Sequence, residues 1–352
     1  MNFKDKFKQL IDSKRGYKLN ANSQRLDYAR GVFTNGTLPA NFSITLAAAP
    51  CNHSCMFCPQ SVEKPAKAEF LGMDLLKKTL KEMPEQNILL NISGYMETLA
   101  VPDLVPAIRL MKEIRPNLPI VVASNGSLFR EDVIEGLIDA GLDIYQYSFD
   151  VPTPEAYSKI IQADHFEKVW NNLERLVEMR NVRNSPMKIQ THIMHFEGIE
   201  EDYAKFEEYW KNKVDNVLLR PVSNWGATDL GLRENMAKEG FVPAHQVPDE
   251  RYPCASIFMH FKLGHDGYYY PCVAAIPAYN HEVVSLGHAS ETTWFEAWEK
   301  LGEMRKAHLA GEWDKYACCR TCNVWSMWDN MWDQRKSEDK MLYSIEGVEY
   351  KK

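Results

Sequence analysis

The sequence predicts an α/β fold, a partial (β/α)6 TIM-like barrel followed by a small α+β domain. Three observations predict it. Short apolar runs with β-branched residues alternate with helical stretches between residues 42 and 222, and each parallel crossover needs such a connecting element. That order alone fits a doubly wound sheet or a curved partial barrel equally. A dinucleotide-binding sheet carries a glycine fingerprint after its first strand, whereas a cysteine loop stands at that position here. Unusual residues also fall at the carboxyl end of every strand, where barrel-like α/β proteins collect their chemistry.

The first strand, over 42–49, runs into Cys51, Cys55 and Cys58. The second, over 87–94, ends in Ser93, Gly94, Tyr95, Met96 and Glu97. A third over 120–124 leads into Ser124, Asn125 and Gly126, and a fourth over 143–149 into Ser148, Phe149 and Asp150. The fifth, over 188–195, alternates Gln190, His192 and His195, and the sixth, over 216–222, ends near Arg220. Helices are expected over 74–83, 101–114, 131–140, 166–180 and 202–213, the middle three with apolar residues at three- and four-residue spacing. Beyond the barrel, His265, Asp266 and Gly267 form a turn signal between aromatic-rich runs over 257–263 and 268–273. That hairpin brings Cys254 and Cys272 together at its open end. Cys319 and Cys322 then supply a chelating pair, with Cys318 adjacent. Trp325, Trp328 and Trp332, at helical spacing, read as a packing face.

Composition narrows the function. A chain of 352 residues, 45% hydrophobic and 25% charged, is that of a globular protein with a substantial core. It holds no apolar run near the roughly 20 residues that span a bilayer, and its first residues do not read as a secretory signal. Eight cysteines in tight groups point to reduced metal ligands in a cytoplasmic protein rather than to disulfides. A net charge of −7 leaves no basic footprint for nucleic acid.

The three residues, then two, that separate Cys51, Cys55 and Cys58, with Phe57 before the last, carry the strongest signal. Read alone they fit a zinc site, His53 being a conceivable fourth ligand, or buried thiols. Together with the matching strand ends they resemble the radical S-adenosylmethionine (radical SAM) superfamily. The resemblance implies a [4Fe–4S] cluster held by Cys51, Cys55 and Cys58, its open iron chelated by S-adenosylmethionine. It implies further cofactor contacts at Phe57, Gly94, Glu97, Ser124, Asn125, Ser148, Asp150 and His192. Here the sequence Gly-Tyr-Met-Glu departs from the family's Gly-Gly-Glu-Pro, which leaves the roles within that segment open. Asn125 and Gly126 also read as a plain turn, Asp150 as a helix cap before Pro152, and His192 as a satisfied strand histidine. Arg220, a lone arginine ending an apolar strand, needs an anion, whether from cofactor, substrate or an internal carboxylate. The later cysteines resemble the short "twitch" form of the SPASM auxiliary domain, with Cys254, Cys272, Cys319 and Cys322 holding a second [4Fe–4S] cluster; Cys318 is left over unless it replaces Cys319. A zinc ribbon is the plainer reading of the same four thiols.

The domain expectation is a helical lead-in over 1–41, a barrel core over 42–235, an auxiliary-cluster domain over 236–335 and a tail over 336–352. The resemblance implies an enzyme that takes an electron from a reductant such as flavodoxin or ferredoxin and cleaves S-adenosylmethionine to a 5′-deoxyadenosyl radical. That radical abstracts hydrogen from a small polar substrate, namely a sugar, aminocyclitol or nucleotide-linked sugar. Net oxidation follows, with the auxiliary cluster as electron acceptor and Arg220 holding substrate or assisting deprotonation. A peptide-modifying enzyme (thioether, carbon–carbon crosslink or epimerisation) is the second expectation. A non-catalytic iron–sulfur or zinc protein is the third.

Overall fold

Polar and apolar residues alternate along most strands of this chain, and the sheet sorts them onto two faces. The computed structural model describes residues 37–327 except 87, 94, 224, 226–229 and 277–282, plus the backbone of Asp333–Ser337 and Lys340–Ser344. The lead-in before residue 37, Gly94, Trp328 and Trp332 therefore lie outside the described residues. Strand β1 (Asn41–Ile44) is followed by β2 (Ala47–Ala48), which pairs antiparallel with β3 (Glu69–Phe70). Then come β4 (Leu89–Ile92), β5 (Ile120–Ser124), β6 (Ile144–Asp150), β7 (Lys188–His195) and β8 (Asn216–Pro221). β1 and β4 through β8 are neighbours in strict chain order and all parallel. A doubly wound sheet reverses its order at a switch point. No reversal occurs here, so the sheet is wound in one direction, as a partial TIM-like barrel is.

The helices Met73–Glu82, Leu104–Ile114, Glu131–Asp139, Phe166–Val182 and Glu200–Trp210 fill the crossovers. Leu104, Ala107, Ile108 and Met111 show why they dock: buried apolar residues recur at helical spacing. Against them lie Phe42, Ile44, Leu90, Ile92, Ile120, Val122, Tyr145, Tyr147 and Phe149, all buried. Phe149 packs edge-on to Phe166 and Trp170, and the Tyr147 hydroxyl donates to the Val169 carbonyl at 2.7 Å. Each such side chain contributes about 1.5–3 kcal/mol, so this face holds the sheet and its helices together. The opposite face carries Ser43, Asn91, Gln146, Ser148, Gln190 and Arg220, all only half-buried. Parallel sheets covered on both faces read as continuous apolar runs. The polar alternate residues here mark a face that the crossover helices leave uncovered.

β9 (His260–Leu263), β10 (Tyr268–Tyr270) and β11 (Gly287–His288) extend the same sheet. The hairpin of β9 and β10 forms as the turn signal predicts, but β9 also pairs in parallel with β1, Ser43 opposite Lys262. Several expected strands are shorter than predicted, two of them for a visible reason. Ser256–Met259 is a helical turn, because a short apolar run suits either state. The first strand splits in two where the Thr45 N–H turns to the Leu263 carbonyl at 2.9 Å. Helix Trp294–Leu309 starts with a capping box of Thr293 and Glu296 and lays Trp294 and Trp298 on Phe261. Among the described residues no helix is long and apolar enough to cross a membrane.

Candidate functional site

Cys51, Cys55 and Cys58 occupy the loop that leaves β2, at the carboxyl end of β1. Gln60, a residue the sequence did not single out, clamps this loop: its carbonyl accepts from the Cys51 N–H at 2.7 Å. Its amide donates to the Ala49 and Tyr95 carbonyls at 3.2 and 2.6 Å. The Cys58 N–H closes a turn on the Cys55 carbonyl at 2.8 Å. A π-helical turn, Tyr157–Ile161, offers the Ile160 carbonyl to the Met56 N–H at 2.8 Å, a local irregularity of the kind found at functional sites. Lys64 caps the carbonyls of Cys51 and His53. Burial pushes all three thiols up, and the Asp150 charge and mutual repulsion add to it at Cys55 and Cys58, bringing Cys58 to about 12. His53 turns away from a ligand role, since its Nε2 meets His165 Nε2 at 2.9 Å; burial pushes it down to about 4. Phe57 is buried beneath the loop in the apolar core.

The next strand ends are latched by one carboxylate. Glu97 is buried; its Oε1 accepts from the Leu99 N–H at 2.9 Å and from the Ser124 hydroxyl, and its Oε2 accepts from the Asn125 N–H at 2.8 Å. Burial pushes the Glu97 carboxyl up and the three donors counter it in part. The lone pairs of Oε2 allow it to accept one more donor. Asn125 forms an Asx turn onto Ser127 and reaches Asn52, inside the cysteine loop, at 3.3 Å. Asn52 in turn donates to the Ser127 hydroxyl at 2.8 Å. Thus Glu97, Ser124 and Asn125 are brought together beside the cysteines.

Asp150 stands where β6 ends, with φ +68° in the left-handed region, a conformation that costs a non-glycine residue about 1–2 kcal/mol. It is held there by His192, whose Nε2 lies 3.0 Å from Asp150 Oδ1, both side chains buried. His192 Nδ1 is buried with no hydrogen-bond partner among the described residues. Burial pushes the His192 ring down, although Asp150 pulls the other way. Arg220 crosses β7 to donate to Gln146 Oε1 at 2.9 Å; burial lowers its guanidinium and the Asp150 charge counters. Ser148 is half-buried on the same uncovered face, opposite His192. Asp150 therefore ties the cysteine loop to His192 and Arg220 through its field.

A second group forms around the hairpin. Cys254 precedes β9, Cys272 follows β10, and Cys318, Cys319 and Cys322 lie on and after the short helix Ala317–Arg320. Burial, and after it the charges that Cys254, Cys272, Cys319 and Cys322 exert within the group, pushes Cys272 well up and Cys322 to about 12. Cys318 is buried against Cys319, the two sulfurs 3.9 Å apart. Arg251 packs over Trp313 and Trp325 and counters the charge of Cys254, Cys319 and Cys322. The Cys254 N–H donates to His308 Nδ1 at 3.3 Å.

The donor sets fit iron–sulfur clusters. Three thiols on one loop match a cube with an open iron, and four thiols from a hairpin and a return loop match a closed one. Among the described residues no three His, Cys, Asp or Glu side chains converge on a point as ligands of one ion do. A cube holds its ligands at separate corners and does not require them to meet at one point.

Comparison with known proteins agrees with this geometry. Residues 49–206 match the Radical SAM superfamily and residues 254–323 match SPASM, an iron–sulfur cluster-binding domain. A protein of Methanococcus maripaludis described as a probable GTP 3′,8-cyclase is 30% identical over 149 residues, covering 42% of this chain and 48% of that protein. A GTP 3′,8-cyclase of Desulforamulus reducens is 24% identical over 191 residues, covering 51% and 56%. The chain thus spans about half the length of the curated relatives it matches. Among solved structures, BtrN in complex with AdoMet and 2-DOIA superposes with a TM-score of 0.54 at 17% identity, covering 82% of this chain and 94% of that one. SuiB of Streptococcus suis bound to precursor peptide SuiA gives 0.58 at 12% identity, covering 86% and 74%. These two share the fold. The cofactors implied by the two domains are S-adenosylmethionine and [4Fe–4S] clusters. The chain carries a domain of the radical SAM superfamily over residues 49–206 and a C-terminal SPASM-type auxiliary-cluster domain over residues 254–323.

Proposed function

We propose that this radical SAM enzyme oxidises a small polar substrate on the uncovered face of its barrel sheet. The observation that carries the reading is the shared sheet. The first cysteine group leaves the end of β1, the second flanks the β9–β10 hairpin, and β9 pairs directly with β1. Cys51, Cys55 and Cys58 would hold the cluster that binds S-adenosylmethionine, and Cys254, Cys272, Cys319 and Cys322 the auxiliary one. When bound, these groups supply hydrogen-atom abstraction at the first site and one-electron acceptance at the second.

The chain's own residues position and shield. Gln60 and Lys64 fix the cysteine loop through its backbone. Glu97 keeps one acceptor site beside Asn125, suited to an ammonium group, and Ser124 orients that carboxylate. Asp150 and His192 set the charge under the loop, while Ser148 and Arg220 face the chamber and are assigned to polar or anionic substrate groups. Similarity to proteins described as GTP 3′,8-cyclases supports the nucleotide-linked end of the substrate range.

The test is anaerobic reconstitution with iron and sulfide, followed by reduction with dithionite in the presence of S-adenosylmethionine. About eight irons per chain are expected, falling to about four in the Cys51→Ala/Cys55→Ala/Cys58→Ala variant. 5′-Deoxyadenosine should form and vanish in that variant. Bound zinc and no cofactor cleavage would overturn the reading.

A further inference from the structure

We propose that Lys262 is an anion-binding residue of the substrate chamber, engaging a phosphate or carboxylate group of the substrate. The inference rests on the reading of the uncovered face as that chamber and goes beyond it by assigning the substrate a negative charge. The placement comes from register. Lys262 in β9 lies opposite Ser43 in β1, which lies opposite Asn91 in β4, so all three project from the polar face. His260, two residues earlier, confirms the orientation: its Nε2 shares a hydrogen bond of 2.8 Å with the Ser43 hydroxyl. Phe261 between them turns the other way, onto Phe42 at 4.7 Å between ring centroids.

Lys262 is 3% exposed, and among the described residues its ammonium has neither a hydrogen bond nor an ion pair. Leaving a lone buried ammonium costs several kcal/mol, and a methionine or leucine at this place would avoid that cost. Two groups reach Lys262 with their charge, the Cys272 thiol assigned above to the auxiliary cluster and, more weakly, the Asp266 carboxylate. That group is occupied in the hairpin turn, where it accepts from the Tyr270 hydroxyl and from the Tyr268 N–H. Arg220 is a second half-buried cation on the same face, bonded there to the neutral Gln146. Among the described residues the carboxylate whose charge reaches Arg220 is Asp150, and it is paired with His192. Among the described residues neither cation has an ion pair of its own, which makes the face attractive to an anion and unfavourable to a cationic aminocyclitol. Burial pushes the Lys262 ammonium down to about 8, and the charges of Cys272 and Asp266 counter it in part, which leaves it largely charged at neutral pH and able to give up its proton.

The test uses the full chain with both clusters reconstituted under anaerobic conditions. Lysines are reductively methylated with formaldehyde and cyanoborohydride, and each site is quantified by peptide mass mapping. Lys67, 79% exposed, serves as the internal control. Inorganic phosphate or acetate is added against sodium chloride of equal ionic strength. Modification of Lys262 should slow about tenfold at an anion concentration roughly ten times its Kd, while Lys67 is unchanged. Protection by phosphate alone identifies a phosphorylated substrate, and protection by acetate alone a carboxylate. Equal rates with and without both anions would overturn the proposal, as would equal slowing of Lys67. So would complete resistance of Lys262 to the reagent, because a ligand would be shut out as well. Formation of 5′-deoxyadenosine by the same preparation reports the radical-enzyme reading separately, and its absence would leave the labelling result standing.

Discussion

His260 shows how one residue couples the chamber to stability. It is half-buried on β9 beside β1, and its ring shares a hydrogen bond with the Ser43 hydroxyl. Burial, reinforced by Lys262, pushes its ring down to about 3, whereas an unfolded histidine titrates near 6.5. A lowered folded-state value means that the stabilisation is fully present above about pH 6.5. It is lost as pH falls from there toward 3, because the unfolded chain takes up the proton first. The loss by pH 4 is on the order of a few kcal/mol. Urea unfolding of the wild type should therefore lose stability steeply between pH 6.5 and 4. The His260→Gln variant, which retains a donor for Ser43, should lose it with a slope shallower by about one proton. Identical slopes would show that the folded state does not hold the His260 ring neutral. Other depressed histidines, His308 among them, act with the same sign, so the comparison between variants carries the test.

At the scale of elements, the turn after β5 is the tightest point near the site. Gly126 sits at φ +70°, and a Cβ there would fall 2.0 Å from the Tyr147 ring. Tyr147 cannot retreat freely, because its hydroxyl is bonded to the Val169 carbonyl and its ring is packed under the helices. Gly126→Ala combines left-handed strain of about 1–2 kcal/mol with overpacking of about 1–3 kcal/mol. The expected loss of about 2–5 kcal/mol is read from urea midpoints at constant m, and a variant within 0.5 kcal/mol of wild type would show that the ring moves aside. Much of this geography was legible in the sequence. The strand ends carried Cys51, Glu97, Ser124, Asp150 and Arg220 in order, and the hairpin announced itself through Asp266 and Gly267. Other parts were not legible, for physical reasons. The parallel pairing of β9 with β1 joins residues 217 positions apart at Ser43 and His260, and no local pattern encodes such a contact. Lys262 was passed over because His-Phe-Lys-Leu reads equally as a strand with one wet face. Gln60 acts through backbone groups of a loop, which residue types do not foretell.

For the whole molecule, the pairing of β9 with β1 decides whether the barrel and the cluster domain are separate units. Domains that meet through modest polar interfaces move relative to one another. Here the two share a hydrogen-bonded ladder and an aromatic core. Phe42 of β1 packs on Phe261 of β9, and both rings meet Trp294 at 5.9 and 5.0 Å. The Trp298 indole donates to the Thr37 carbonyl at 3.2 Å, and Lys78 from the first barrel helix reaches the Ala289 carbonyl at 2.6 Å. Removing residues after 250 would strip Phe261, Trp294 and Trp298 from the barrel, each worth about 1.5–3 kcal/mol. The sum approaches the 5–15 kcal/mol that holds a typical native state, and the cut would also leave β1 with an unpaired edge prone to aggregation. A chain ending at residue 250 should therefore fail to yield a soluble, cooperatively folding barrel. The milder Phe261→Ala change should cost about 3–5 kcal/mol while preserving one transition, followed coincidently by far-ultraviolet circular dichroism and tryptophan fluorescence. A truncated barrel that folds alone, or a Phe261→Ala curve that splits into two steps, would mean that the shared sheet does not couple the two cysteine sites into one structural unit.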